Sequence, residues 1–189
     1  MENILYPSQI YKIIIKELKI EFLQKFESSK NVLYEFTYPL KEEDYYDFKD
    51  RVEKNLPVYV IHFPKENIID SLKMSFQANK YSFIFISTIV KFVLNVNSNI
   101  ELAKGYCVYS LLHEIGHFHH FMSFSSIDTY FQFIKEHSEF LKMNSQNRMK
   151  NNITDNEQMQ YELKYITSAG EFEANLYALE HMKQIYSIL

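Results

Sequence analysis

The sequence predicts a helix-rich α+β fold in a single domain. The chain has 189 residues, a length typical of one domain, and only 3 of them are Gly and 4 are Pro. Because Gly and Pro mark tight turns, this composition favours helices joined by few turns. Two runs of β-branched and aromatic residues, over 57–63 and 81–97, predict strands.

The first half of the chain is expected to alternate helix and strand. Over 8–29, apolar residues recur at three- and four-residue steps, which predicts an amphipathic helix. A short helix is expected over 41–54, and weaker helical periodicity follows the first strand over 65–78. The long apolar run over 81–97 is expected to form two strands, or one strand bent near its middle.

The second half is expected to be helical. A capping box at 98–101, Ser-Asn-Ile-Glu, predicts the start of a helix that ends near Met122. A helix over 127–142 and a polar surface loop over 143–152 should come next. A second capping box at 154–157, Thr-Asp-Asn-Glu, starts a helical region that continues nearly to the last residue.

The motif His-Glu-Ile-Gly-His occupies residues 113–117, within the helix that begins after the first capping box. Residues four apart lie on one helix face, so His113 and His117 can share one tetrahedral Zn²⁺. Glu114 borders the same face and is placed to take a proton from a water molecule rather than to bind the metal. This pattern is the zincin signature. Gly116 costs about 1 kcal/mol relative to Ala in a helix, and its small size suits the close approach of another backbone.

An alternative interpretation is a surface helix that carries two unrelated histidines. An apolar stripe at helical spacing beside the motif argues against it, made by Val108, Leu111, Leu112, Ile115 and Phe118. The metzincin subtype is excluded, because it needs Gly at 120 and His at 123, where this chain has His120 and Ser123. We expect His119 and His120 to be polar surface residues that point away from the motif pair.

A catalytic zinc site takes three protein ligands, and a later helix offers the third. Glu171 and Asn175 are four residues apart, so one can bind zinc while the other hydrogen-bonds a ligand histidine. We expect Glu171 to be the ligand, since Glu173 points about 200° away from it around the helix. Ala174 would let this helix approach the motif helix closely. In the alternative interpretation, Ser168 and Glu171 form a capping box and Glu171 only caps a helix.

Charge and cysteine content narrow the function and the compartment. The formal net charge is −4 and the pI is near 6.0, which gives no support for nucleic-acid binding as the main activity. The single cysteine, Cys107, cannot form a disulfide within the chain and fits a reducing setting. The first residues lack the features of a signal peptide, and the apolar run over 81–94 is too short to cross a bilayer. We therefore expect a cytoplasmic protein without a membrane partner.

The two motifs together resemble the ImmA/IrrE family of metallopeptidases. The first motif is shared by all zincins, and the second, Glu171-x-Glu173-Ala174-Asn175-x-x-Ala178, narrows the resemblance to this family. The resemblance covers roughly residues 57–182, with the expected strand pair ahead of the motif helix. It implies a minimal zincin fold, in which a small, partly antiparallel sheet packs on the motif helix and on the glutamate-bearing C-terminal helix.

The resemblance also implies the roles of the site residues. His113, His117 and Glu171 would bind Zn²⁺ in a gluzincin-like arrangement, and Glu114 would be the general base. Members of the family typically cleave a helix-turn-helix transcriptional repressor, so such a repressor is the expected protein partner. The long spacing between the two motifs implies an inserted helix and loop over 123–152.

The expected activity is therefore metal-assisted hydrolysis of a peptide bond. An edge strand within 81–97 would hold the extended substrate by strand pairing. Two other interpretations stay open: a metal-stabilised protein that binds a regulator without cutting it, and a protease toxin controlled by a neighbouring antitoxin. The presence of Glu114 argues against the first, because a protein that only binds has no need of that carboxylate.

Overall fold

The computed structural model describes residues 5–20, 34–37, 47–53, 56–126, 128–137 and 154–189, and in the strands it describes only the backbone, except at Ile61. These residues contain seven helices: α1 Pro7–Glu17, α2 Ile68–Ala78, α3 Lys80–Leu94, α4 Asn99–Ser123, α5 128–137, α6 Asp155–Ile166 and α7 Ala169–Ser187. Three short strands precede α2: β1 Tyr34–Thr37, β2 Asp47–Glu53 and β3 Leu56–His62. They pair in the order β1-β3-β2, with β3 parallel to β1 and antiparallel to β2.

The predicted α+β class is wrong. Helices make up 81% of the residues whose side chains the structure describes, and no sheet lies within that part. The elements packed around α4, which carries the histidine motif, are mainly α7, α2, α3 and α1. The sheet expected against the motif helix and the C-terminal helix is therefore replaced by helix-on-helix packing. From the strands, the one described side chain is Ile61, which is fully buried in the core.

The clearest local error concerns 81–97, predicted as strands, because Lys80–Leu94 forms helix α3. Asn79 caps this helix, since its Oδ1 accepts hydrogen bonds from two backbone N–H groups in the first turn. Asn95 ends the helix in the left-handed region, with φ of 55°. A short apolar run fits a buried strand or a packed helix equally well, and packing on α4 selects the helix.

The first helix is shorter than predicted. Helix α1 ends at Glu17, and Lys19 has a positive φ of 50°, which no continuing helix allows. The remaining residues of the predicted 8–29 helix, from 21 onward, lie outside the described part of the chain. The helix expected over 41–54 is also wrong where it can be compared, because Asp47–Glu53 is extended as β2.

Helix α4 is the centre of the described core and begins where the sequence predicted. Ser98 Oγ accepts a hydrogen bond from the backbone N–H of Glu101, and the Glu101 carboxylate accepts one from the backbone N–H of Ser98. This capping box was predicted and is confirmed. Fifteen of its 25 residues are buried, including Leu111, Leu112 and Ile115 beside the motif. The interpretation as a surface helix is therefore wrong.

Helix α7 lies directly on α4, and small residues set their closest approach. A Cβ atom built on Gly116 would lie 2.8 Å from both Cα and the carbonyl oxygen of Ala174, and 3.0 Å from Cβ of Tyr177. Side chains at both positions must be small for the two backbones to come this close. The small residues expected to allow such an approach, Gly116 and Ala174, are confirmed in that role.

Two further helices complete the surroundings of α4. Helix α5, expected over 127–142, is described at 128–137 and packs through Tyr130 on Phe118 and Phe121 of α4. Residues 138–153, which include the predicted polar loop, lie outside the described part. The last helical region is two helices rather than one, with α6 capped by Thr154 as predicted and a break at Thr167–Ser168 before α7.

Among the described residues, no single helix has both the length and the apolar character needed to cross a membrane. Helices α3 and α4 meet these criteria only when they are counted together, and the chain bends by 104° between them.

Candidate metal centre

Two histidines of α4 bring their ring nitrogens together. Nε2 of His113 and Nε2 of His117 are 3.2 Å apart, and the ring centroids are separated by 4.7 Å. The rings are nearly perpendicular, at 83°, so the nitrogens converge while the ring faces do not stack. This geometry follows from the four-residue spacing, which places the two side chains one turn apart on the same face.

Helix α7 supplies a carboxylate to the same point. Glu171 Oε2 lies 3.2 Å from His113 Nε2, and Glu171 Oε1 lies 3.7 Å from His117 Nε2. The three side chains offer one donor atom each, and these atoms all lie within 4.8 Å of one another. Within the described part of the chain, no other group of three His, Cys, Asp or Glu side chains meets this condition.

The spacing of these atoms fits a tetrahedral metal ion. Ligand atoms at 2.0–2.2 Å from a tetrahedral ion are about 3.3–3.6 Å from each other. The distances of 3.2, 3.2 and 3.7 Å among the two nitrogens and the carboxylate oxygens are close to that value. Two imidazoles and one carboxylate are also a donor set that catalytic zinc sites use, with the fourth position left for water. The residues present therefore fit a zinc ion.

Asn175 orients the first histidine. Asn175 Oδ1 lies 2.9 Å from His113 Nδ1 and can only accept a hydrogen bond, so Nδ1 is the donor and Nε2 faces the site. Asn175 is itself held by two further hydrogen bonds. Its Nδ2 donates to the carbonyl oxygen of Ile166, and its Oδ1 accepts from the hydroxyl of Tyr109. Asn175 was predicted to hydrogen-bond a ligand histidine, and in the structure it contacts His113 directly.

Two tyrosines near the site were not predicted from the sequence. Tyr109 precedes His113 by four residues, so helical spacing alone could have indicated that it shares the histidine face. Tyr165 donates a hydrogen bond from its hydroxyl to Glu171 Oε1, at 2.8 Å. No spacing rule could have found Tyr165, because its position depends on the break between α6 and α7 at Thr167–Ser168.

The structure separates the two candidate acids on α7. Glu171 lies at the histidine pair, with a side chain only 13% exposed, whereas Glu173 is exposed and outside the group of three. The capping role considered for Glu171 is not adopted, because Ser168 makes no side-chain capping hydrogen bond at the start of α7. Glu171 is therefore the acid that the fold brings to the two histidines.

Glu114 is buried although its side chain is ionisable. Its side chain is on α4 directly after His113, and the residue is 7% exposed. Its negative charge is among the influences that raise the pKa of His113. A carboxylate buried beside two histidines is costly unless other groups compensate for its desolvation. Its position is that of a group that can accept a proton next to the candidate site.

The pKa values of His113 and Glu171 are shifted in opposite directions by their mutual contact. Burial alone would lower the pKa of His113, but the hydrogen bond to Glu171 and the charges of Glu114 and Glu171 raise it to about 9. Burial and the positive charge of His113 lower the pKa of His117 to about 4. Burial would raise the pKa of Glu171, but its contacts with the two histidines lower it to about 2. Without a metal ion, a proton therefore occupies the position between His113 and Glu171 at neutral pH.

The two histidines that follow the motif are engaged elsewhere. The ring of His119 lies 5.0 Å from the ring of Tyr177, and the ring of His120 lies 5.0 Å from that of Phe133 on α5. Neither belongs to the group that could hold a metal. His119 is exposed and His120 is half-buried, so only His119 matches the expectation of a surface residue.

Comparisons of this chain with protein-family models, with curated proteins and with solved structures found no match. The functional conclusion therefore depends on the residues and their geometry.

Proposed function

We propose that this protein is a zinc-dependent metallo-endopeptidase that cleaves a specific regulatory protein. The observation that carries the proposal is the convergence of His113, His117 and Glu171, whose donor atoms lie within 4.8 Å of one another beside the buried Glu114. Both motifs of the sequence contribute to this one point, although they lie on different helices. The likeness of these motifs to those of the ImmA/IrrE family gives separate support.

The residues divide into those that hold the metal and one that moves protons. His113 and His117 would bind zinc through Nε2, and Glu171 through a carboxylate oxygen. Zinc, when bound, supplies a Lewis acid that activates water and polarises the peptide carbonyl. The Glu114 carboxylate takes a proton from the attacking water, whose oxygen joins the carbonyl carbon. Glu114 then gives this proton to the leaving nitrogen as the peptide C–N bond breaks, so that acid and amine are the products.

The burial of Glu114 favours an enzyme over a protein that only binds. A structural zinc site is closed by four protein ligands, and Glu114 is not among the three donors that the described residues bring together here. A buried carboxylate that borders an open metal site is instead placed to accept a proton from water.

The proposed substrate is a helix-turn-helix transcriptional repressor, and the proposed location is the cytoplasm. The repressor follows only from the family resemblance. The location follows from the single cysteine, Cys107, which is buried and takes part in no disulfide. The substrate-holding strand expected within 81–97 is not proposed again, because that segment is helix α3. A protease toxin with a neighbouring antitoxin would use the same site chemistry.

Zinc content tests the metal site. We expect about one zinc per chain in the purified protein by elemental analysis, and we expect Glu171→Gln to lose most of it. Glu173→Gln is the matched control, since it makes the same substitution on the same helix at an exposed position, and it should keep its zinc. A well-folded protein that takes up no supplied zinc would refute the proposal.

Cleavage tests the reaction. A library of cytoplasmic peptides incubated with the zinc-loaded protein should give new peptide termini by mass spectrometry, and Glu114→Gln should abolish them while retaining zinc. Capture of a regulator by both forms, with no cleavage by the unsubstituted protein, would instead establish the binding function.

A further inference from the structure

The two oxygens of Glu171 have different neighbours. Oε1 accepts the hydrogen bond from the Tyr165 hydroxyl, at 2.8 Å, and is 3.7 Å from His117 Nε2. Oε2 is 3.2 Å from His113 Nε2. Each oxygen therefore faces one histidine, and Oε1 is in addition engaged by a phenol, whereas Oε2 makes the shorter of the two histidine contacts.

Tyr165 reaches Glu171 because α6 is tied at this end to α7. The carbonyl oxygen of Ile166, the next residue, accepts a hydrogen bond of 2.9 Å from Asn175 Nδ2. At the end of α6, Tyr165 thus contacts Glu171 and Ile166 contacts Asn175. Glu171 and Asn175 are the two polar residues of α7 that lie at the site. Both contacts fix the angle at which Glu171 and Asn175 meet α4.

The same helix is anchored on its other side by a buried carboxylate. Glu162 is 1% exposed and accepts hydrogen bonds from the hydroxyl of Ser82 and the amide of Asn79, the second at 3.4 Å. Both partners lie at the start of α3. Helix α6 therefore joins α3 to the metal centre, and Tyr165 has little freedom to leave Glu171.

We propose that Tyr165 is a positioning residue of the metal centre, which engages Oε1 of Glu171 so that the carboxylate binds the ion through Oε2 alone. This inference rests on the proposed zinc site. A carboxylate that binds through one oxygen leaves the fourth position of a tetrahedral ion open, whereas one that binds through both oxygens would crowd it. The role of Tyr165 is thus to keep the site open as well as to hold its ligand.

The first test is zinc affinity, measured by competition with a chelator. We expect Tyr165→Phe to weaken zinc binding about 10-fold, as loss of a partner of a metal ligand typically does. Tyr161→Phe is the matched control, because it removes a hydroxyl from the same helix one turn earlier, where the ring lies 5.9 Å from the Lys164 ammonium. Its affinity should stay within about twofold of the original. Unchanged affinity in Tyr165→Phe would overturn the proposal.

The second test is the coordination number of bound cobalt. Cobalt(II) can replace zinc, and its visible absorption reports ligand geometry. Tyr165→Phe should weaken the visible bands as the second carboxylate oxygen joins the ion, and Tyr161→Phe should leave them unchanged. An unaltered spectrum in Tyr165→Phe would refute binding through a single oxygen.

A double-mutant cycle separates positioning from a general effect on folding. In the Glu171→Ala background, Tyr165→Phe should cause no further loss of zinc affinity, because the group it orients is already gone. The same 10-fold loss in both backgrounds would show a role in packing and overturn the proposal. Failure of the unsubstituted protein to bind zinc would be a different result, since it would refute the metal site itself.

Discussion

Gly116 and Ala174 bring two helices together at the candidate metal centre. A Cβ on Gly116 would be only 2.8 Å from the Ala174 backbone, far inside normal van der Waals contact. Gly116 lies between the two α4 histidines and Ala174 is three residues after Glu171, so the contact lies beside all three candidate ligands. The distance between α4 and α7 therefore also sets the distance between the histidines and the carboxylate.

Replacement of Gly116 by Ala should separate these helices and loosen the site. Two of the atoms in the way belong to the Ala174 backbone and the third is Cβ of Tyr177, so no side-chain rotation can make room. We expect the variant to lose up to about 2 kcal/mol of unfolding free energy, since overpacking costs about 1–3 kcal/mol and the better helix propensity of Ala returns about 1 kcal/mol. Its melting temperature should fall by up to about 8 °C. Zinc affinity should fall as well, because Glu171 moves away with α7.

Gly170→Ala is the control for this prediction. It adds the same methyl group directly beside Glu171, but its Cβ would meet only the ring of Phe133, at 3.7 Å, which is ordinary contact. Stability should stay the same or rise by up to about 1 kcal/mol, because Ala has the better helix propensity, and zinc affinity should stay close to that of the original protein. Equal losses in Gly116→Ala and Gly170→Ala would show that the helix contact does not set the ligand geometry.

The parts of the site that the sequence could predict are local. His113 and His117 share a helix, as do Glu171 and Asn175, so a four-residue spacing determines each pair. The capping box at Ser98 likewise depends on a contact between two residues that are three apart in the sequence. Such relationships are present in any chain that forms the helix, whatever surrounds it.

The parts that could not be predicted depend on tertiary contacts. Residues 81–94 have the composition of a strand, and only packing of α3 on α4 decides for a helix. The error in fold class follows from that one segment, since its expected strands were to form much of the sheet. Tyr165 meets Glu171 across the break between α6 and α7, and the spacing between the two residues does not indicate this contact.

Asn175 should control zinc affinity through His113. Asn175→Ala removes the acceptor of the His113 Nδ1–H hydrogen bond and should weaken zinc binding about 10- to 100-fold. Asn175→Asp keeps an oxygen at that position and should retain more affinity, although it loses the hydrogen bond to Ile166. Tyr109→Phe removes the other donor to the same oxygen and should have a smaller effect than Asn175→Ala. Chelator competition would measure all three, and wild-type affinity in Asn175→Ala would contradict the prediction.

Zinc affinity should rise with pH up to about 9. Zinc must replace the proton that His113 holds against Glu171, and the pKa of His113 is raised to about 9. His117, with its pKa lowered to about 4, and Glu171, with its pKa lowered to about 2, carry no proton above pH 6 that zinc must displace. One proton is therefore released for each zinc bound, and the affinity should increase about tenfold for each pH unit below 9.

Competition with a chelator of known pH dependence measures this slope between pH 6.5 and 8.5, where the expected change is about 100-fold. Glu171→Ala is the control, because it removes the carboxylate that contributes to the raised pKa of His113. With the proton held less tightly, its affinity should be weaker overall but change less steeply across the same range. A flat profile in the unsubstituted protein would mean that His113 is already neutral there, and that the ion pair with Glu171 does not compete with the metal.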